Sequence, residues 1–321
     1  MVIDFHTHIF PDAIAAKTIS FLQKQSGITP ATDGTRNGLL QSMERTGVDM
    51  SVILPVVTKP SQFESVNAFA QQVNEWFAGR LLSFGGIHPD SEDYKKELRT
   101  IKEMGLPGIK LHPDYQGVMI DDVRYMRIIE YAAELGLIVS THAGLDNGFP
   151  DLIHCPPDRM RKVLDAIKPE KFIVAHYGGW KQWDLVYEYL ADVDVYFDTA
   201  VTFGYIEQEM FLKIWEKHAK DKVLFATDSP WSDAAMAIEA VHNLPVRIEE
   251  QAAILADNAK KLFPIHGLAP ITITCPVSIP FNIESNSIKP VLNKLLLFAL
   301  PLIASSVLQL FFNAADVIVV G

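Results

Sequence analysis

Eight short runs rich in apolar and β-branched residues recur along the chain, each followed by a longer amphipathic stretch, and this alternation limits the folds open to it. The runs cover residues 2–6, 48–54, 81–87, 108–112, 137–141, 172–176, 193–198 and 223–227. Several are apolar on both faces, as strands covered on both sides must be. The stretches between them, such as "SQFESVNAFAQQVNEWFAGR" and "DDVRYMRIIEYAAELG", repeat their apolar residues at helical spacing. Repeated βα units build a parallel sheet, and eight of them predict an α/β fold closed as a (β/α)8 TIM barrel. An open doubly wound sheet is the competing arrangement, but no GxGxxG turn or P-loop supports it.

The last helical stretch, "IEEQAAILADNAKKLF", ends near Phe263, so the barrel is expected over residues 1–265. Residues 266–290 carry four prolines and no periodicity, which reads as a linker. Beyond it, residues 295–312 form an 18-residue run without a charge, about 27 Å long as a helix. That length predicts one transmembrane helix within residues 291–321, flanked by Lys289 and Lys294, with the barrel on the cytoplasmic side. The N-terminus shows no basic segment leading an apolar core, so no secretory signal is expected. Cys155 and Cys275 lie outside any CxxC pattern and read as free thiols of a reducing compartment. A net charge of −11 argues against a nucleic-acid partner and leaves a small-molecule substrate as the expectation. A homodimer is the default for such a barrel, although no residue pattern specifies one.

Barrel active sites lie at the C-terminal ends of the strands. Six of the ten histidines sit at or just past such an end: His6, His8, His88, His112, His142 and His176. In "DFHTH", His6 and His8 are two residues apart and face the same way. His142 in "STHAG" offers a third nitrogen, and Asp228 in "FATDSPW" a carboxylate from the strand that closes beside the first. Nitrogen donors with one carboxylate suit a single divalent metal, Zn²⁺ foremost. His176 in "VAHYGG", placed beside the metal, is positioned to take a proton from water. Lys110 and His112 share one face of the fourth strand, and with Tyr115 and Gln116 they are expected to line the substrate mouth. Asp228 also suits a helix N-cap, and Trp180 and Trp231 suit either the pocket wall or the core. His88 reads as a turn residue, and His154, His218, His242 and His266 as surface residues.

Taken together, "DFHTH", "GIKLHPDYQG", "THAG", "AHYGG", "TDSPW" and "ILADNAKKLF" resemble the amidohydrolase-related family of metal-dependent hydrolases, which includes relatives of aminocarboxymuconate-semialdehyde decarboxylase. The resemblance spans residues 1–265. It implies a (β/α)8 barrel with one divalent metal held by His6, His8, His142 and Asp228, and a water-activating role for His176. Members of that family either hydrolyse C–N or C–O bonds or decarboxylate without oxidation. The leading expectation is hydrolysis of a small amide, ester or lactone by a metal-activated water, with His176 and Asp228 catalytic. Decarboxylation on the same metal is the second. In dinuclear amidohydrolases a lysine in the region of Lys110 is carbamylated and bridges two metals; in the mononuclear relatives it is not, and Lys110 is then a cationic partner for a substrate carboxylate. "GIHP" also resembles the TatD-type nucleases, but their fourth-strand glutamate is missing from "GIKLHP". The tail, "KPVLNKLLLFALPLIASSVLQLFFNAADVIVVG", is similar to the first transmembrane helix of the multidrug and toxic compound extrusion (MATE) transporters. A transporter with the barrel as passenger is therefore the reading from another class, although one helix cannot form an alternating-access site.

Overall fold

A computed structural model of the chain describes residues 1–77 and 79–263. Nine strand segments run parallel: β1 Ile3–Thr7, β2 Met50–Ile53, β3 Leu81–Ser83, β4 Gly85–Gly86, β5 Gly108–Leu111, β6 Ile138–Thr141, β7 Phe172–Val174, β8 Tyr196–Asp198 and β9 Val223–Leu224. They form the ribbons β1-β2-β3 and β4 through β9. The expected third run is thus two strands. At the break, Phe84 N–H donates to the Ile53 carbonyl at 2.9 Å, which carries the hydrogen bonding onward. Asn67 anchors β4, donating to the Gly86 carbonyl and accepting from the Gly86 amide, each at 2.9 Å. On the far side Phe5 N–H donates to the Phe225 carbonyl at 2.9 Å, and a parallel bridge joins Thr7 to Ser229, closing the ring. The result is the TIM-barrel fold that the eight runs predicted.

The alternation within strands sorts the apolar residues into two layers. Phe5, Met50, Val52, Phe84, Ile138, Ile173, Tyr196 and Leu224 belong to one cluster inside the barrel. Ile109, Leu111, Val139, Phe172, Val174, Phe197 and Phe225 face the helices in a second. Along β5, β6, β8 and β9 the inward positions lead to Lys110, His142, Asp198 and Asp228, so these strands end in a polar mouth. In β1 a register shift between Asp4 and Thr7 lets His6 turn into the mouth directly after Phe5 has packed below it. The last helix, Ile248–Ala252, widens to a π turn at Ala253–Asp257 and tightens to a 3-10 turn at Ala259–Lys261. It brings Leu262 and Phe263 against the floor, where Phe263 stacks on Phe5 at 5.7 Å.

Among the described residues no helix is long and apolar enough to cross a membrane. The expected linker (266–290), the expected membrane helix (291–321), His266 and Cys275 lie outside the described residues. Cys155 is buried and free.

Candidate active site

Three of the expected ligands converge. His6 Nε2 lies 3.2 Å from His8 Nε2 and 3.4 Å from Asp228 Oδ1, while His8 Nε2 lies 3.0 Å from Asp228 Oδ1. The closing bond from Asp228 N–H to the His6 carbonyl, 2.8 Å long, sets the two strand ends side by side. Burial holds the His6 imidazole well below its ordinary pKa, helped by the charge of Lys110. Burial alone would push the Asp228 carboxyl up, but His6 and His8 more than offset it and keep it below its usual range. Asp228 Oδ1 is buried without a hydrogen-bond partner. Imidazole lone pairs and an unsatisfied carboxylate oxygen meeting at one point fit a divalent cation.

The fourth expected ligand, His142, lies against His176. His176 Nδ1 lies 3.0 Å from the Ala200 carbonyl, so Nδ1 carries the proton and donates it there. Its Nε2 is then the acceptor for His142 Nδ1–H at 2.9 Å. These two bonds leave His142 Nε2 bare. That bare nitrogen lies within 4.8 Å of ligand atoms of His112 and Asp146. The neighbour distances were set by tertiary hydrogen bonds that strand-end spacing does not encode.

Lys110 is fully buried, with Nζ 3.0 Å from His6 Nε2. Burial lowers its pKa to about 8, opposed by the carboxylates of Asp198 and Asp228. His112 follows β5 and stacks on His142, ring centroids 4.2 Å apart. Tyr115 stands edge-on to His112 at 4.5 Å. All of these line a cavity of about 740 Å³ with Trp180 and Trp231 in its wall. Gln116 does not line it. Its amide donates to the carbonyls of Val57 (2.7 Å) and Ile87 (2.8 Å), and its oxygen accepts from His112 N–H (3.1 Å) and Tyr125 O–H (2.6 Å). The expected substrate-binding role for Gln116 is therefore corrected to a buried strut.

Two more expectations change. His154 is no surface residue: its Nδ1 lies 2.9 Å from Asp114 Oδ1, and its backbone N–H donates to the same oxygen. His218 is buried and stacks on Phe197 at 4.0 Å. His88 keeps its turn role, accepting from Asp90 N–H at 3.1 Å, and His242 is exposed.

Sequence reasoning missed Asp198, the last residue of β8. Its Oδ2 accepts from His6 Nδ1 at 2.9 Å, and its Oδ1 accepts the backbone N–H groups of His176 (2.9 Å) and Ala200 (3.1 Å). Its only signal was a carboxylate ending an apolar strand, at the level where the other strands end in histidine. His176 and Asp228 both hold positive φ, at 61° and 65°. Non-glycine residues rarely adopt that region, and strained backbone of this kind clusters at working sites.

A closed parallel barrel with imidazoles and carboxylates gathered at the C-terminal strand ends defines the metal-dependent barrel enzymes. Within them the chain belongs to the amidohydrolase family, whose model, described as "Amidohydrolase", matches residues 3–265. A divalent metal is typical of that family. No curated protein matches the sequence. Among solved structures, a TIM-barrel protein from Bordetella bronchiseptica is similar at a TM-score of 0.67 and 18% identity, over 81% of this chain and 97% of that one. The 5-carboxyvanillate decarboxylase from Novosphingobium aromaticivorans, complexed with manganese and 4-hydroxy-3-methoxy-5-nitrobenzoic acid, is similar at 0.62 and 14%, over 82% and 95%. The 2,6-dihydroxybenzoate decarboxylase from Rhizobium is similar at 0.59 and 14%, over 81% and 98%. At these identities the likeness shows the fold.

Proposed function

We propose that this enzyme removes the carboxyl group of a small aromatic acid without oxidation, using one divalent metal held by His6, His8 and Asp228. The observation that carries the reading is a buried cation beneath apolar walls. Lys110 lies at the base of a cavity whose sides include Phe69, Leu145, Phe149 and Trp180. A flat aromatic ring suits those walls, and its carboxylate suits the cationic base. The manganese-bound decarboxylase among the structural neighbours supports this reading over the hydrolysis expected from the sequence. The donor set accommodates Mn²⁺ as well as Zn²⁺.

When bound, the metal supplies positive charge against the substrate's oxygens. Lys110 binds and orients the carboxylate and holds a proton on Nζ at neutral pH. The aromatic walls exclude water from the carboxylate, which favours its departure as neutral CO₂. The ring–carboxyl bond breaks, its electron pair stays on the ring carbon, and a proton takes the vacated place. His176 is the second proton carrier, its Nε2 shared with His142. The balance is one carboxylate and one proton consumed, one arene and one CO₂ released.

The test is product analysis with the Mn²⁺-loaded full chain, on hydroxybenzoates carrying ¹³C in the carboxyl group and on a panel of lactones and amides. Labelled CO₂ released one-to-one with the matching phenol is expected. Ring-opened or amine products from the second panel, with the ¹³C label retained in the first, would return the site to hydrolysis.

A further inference from the structure

We infer that the substrate's ring carries a bulky, neutral apolar substituent opposite its carboxyl group, seated between the helices Asp12–Ser26 and Phe63–Trp76. This deepens the reading above and rests on the carboxylate sitting over Lys110. A cavity of about 150 Å³ already holds benzene. The cavity here has about 740 Å³. A single-ring acid at its base leaves an outer chamber empty, and the two helices wall that chamber.

Helix Asp12–Ser26 turns Ile14, Thr18, Phe21, Leu22 and Gln25 to the cavity. Their spacing of i, i+4, i+7, i+8 and i+11 puts all five on one stripe, about 100° wide. An amphipathic helix ordinarily buries such a stripe against the core. In this helix only Ala15 and Ile19 are buried, whereas Ile14 is 49% exposed and Phe21 63%. The apolar stripe therefore faces open space instead of packed side chains. Helix Phe63–Trp76 adds Val66 and Phe69, three residues apart on one face. Neither helix places a charged side chain in the lining, and Lys59, which precedes the second, is exposed to solvent. His6, His8, Lys110 and Asp228 line the same cavity, so charge is recognised at the carboxylate end and the helices are left for an uncharged one. Gln25 Nε2 donates to the Gly148 carbonyl at 3.2 Å, tying the helix to the loop of Asp146 and Phe149, which also line the cavity. The stripe is thus held at the chamber by the protein's own bonds. A substituent that fills the chamber removes this apolar surface from water, with a gain that grows with the area covered.

Calorimetric titration of the Mn²⁺-loaded full chain with 2-hydroxybenzoate and with 2-hydroxy-4-pentylbenzoate tests the chamber. The pentyl acid should bind at least about 10-fold more tightly, since each buried methylene is worth up to about 4-fold. Ile14→Ser/Phe21→Ser should abolish that gain and leave the affinity for 2-hydroxybenzoate unchanged, which also reports an intact fold. Equal affinities in the wild type would overturn the inference, as would a gain that survives in the double variant. Benzamide and 4-pentylbenzamide separate the chamber from the chemistry. If neither acid binds, a pentyl gain confined to the amides and lost in the double variant would retain the chamber while the decarboxylase reading falls. No gain in either pair would overturn the chamber whatever the reaction.

Discussion

Asp198 accepts the Nδ1–H of His6 at 2.9 Å, and both side chains are almost wholly buried. This bond fixes the His6 tautomer and turns Nε2 toward His8 and Asp228. Partners that orient a ligating imidazole this way set metal affinity nearly as strongly as the ligands do. Asp198→Asn should therefore weaken divalent-metal binding by about 10- to 100-fold. Competition with a metal-sensitive dye measures it, and unchanged affinity would refute the orienting role.

Gln116 divides stability from substrate binding. Gln116→Ala leaves the buried carbonyls of Val57 and Ile87 without their donor, at a cost of about 1–3 kcal/mol for each unsatisfied group. Urea unfolding should show that loss, with substrate KM little changed. Wild-type stability with a raised KM would put Gln116 back in the cavity.

His218 gives the barrel an acid-sensitive element far from the site. Burial lowers its pKa to about 4, so the folded state keeps it neutral where the unfolded chain, near 6.5, takes up a proton. Between those values the unfolded state binds more protons, and stability falls as pH drops. The expected loss from pH 6.5 to pH 4 is about 3 kcal/mol from this residue. His218→Phe should lack that component, and thermal unfolding of the two proteins across the window reveals it. Parallel curves would exclude the effect.

Gly144 holds the loops of His142 and His176 together. Its φ is +85°, and a Cβ there would meet the Trp180 backbone nitrogen at 2.1 Å. The same contact carries a bridge, with Trp180 N–H donating to the Ala143 carbonyl at 2.9 Å and Leu145 N–H to the Trp180 carbonyl at 3.0 Å. Gly144→Ala should cost more than about 3 kcal/mol, since neither backbone segment can yield alone. Denaturation with a loss below about 1 kcal/mol would show that the loops part freely.

The barrel was legible because parallel strands buried on both faces leave continuous apolar runs, and β5 and β6 read as strands from "GIKL" and "IVST" alone. His6, His8 and Asp228 were legible for a related reason: strand ends are where a barrel must place polar chemistry. Asp198 was hidden because a lone carboxylate ending a strand has many possible partners, and its partner lies 192 residues away. Which nitrogen of His142 faces which neighbour was equally beyond the sequence, since the Ala200 carbonyl and His176 decide it. His154 and His218 looked like surface residues because nothing local marks Asp114 or Phe197 as their partners. Gln116 followed the same pattern, a polar residue near the mouth whose bonds turn away from it.

The central claim is that His6, His8 and Asp228 hold a divalent ion. Anomalous diffraction from crystals of the full chain grown with Mn²⁺ tests it directly. The account predicts a peak about 2 Å from His6 Nε2, His8 Nε2 and an Asp228 carboxylate oxygen. Fully ordered side chains at those positions with no anomalous peak among them would contradict it.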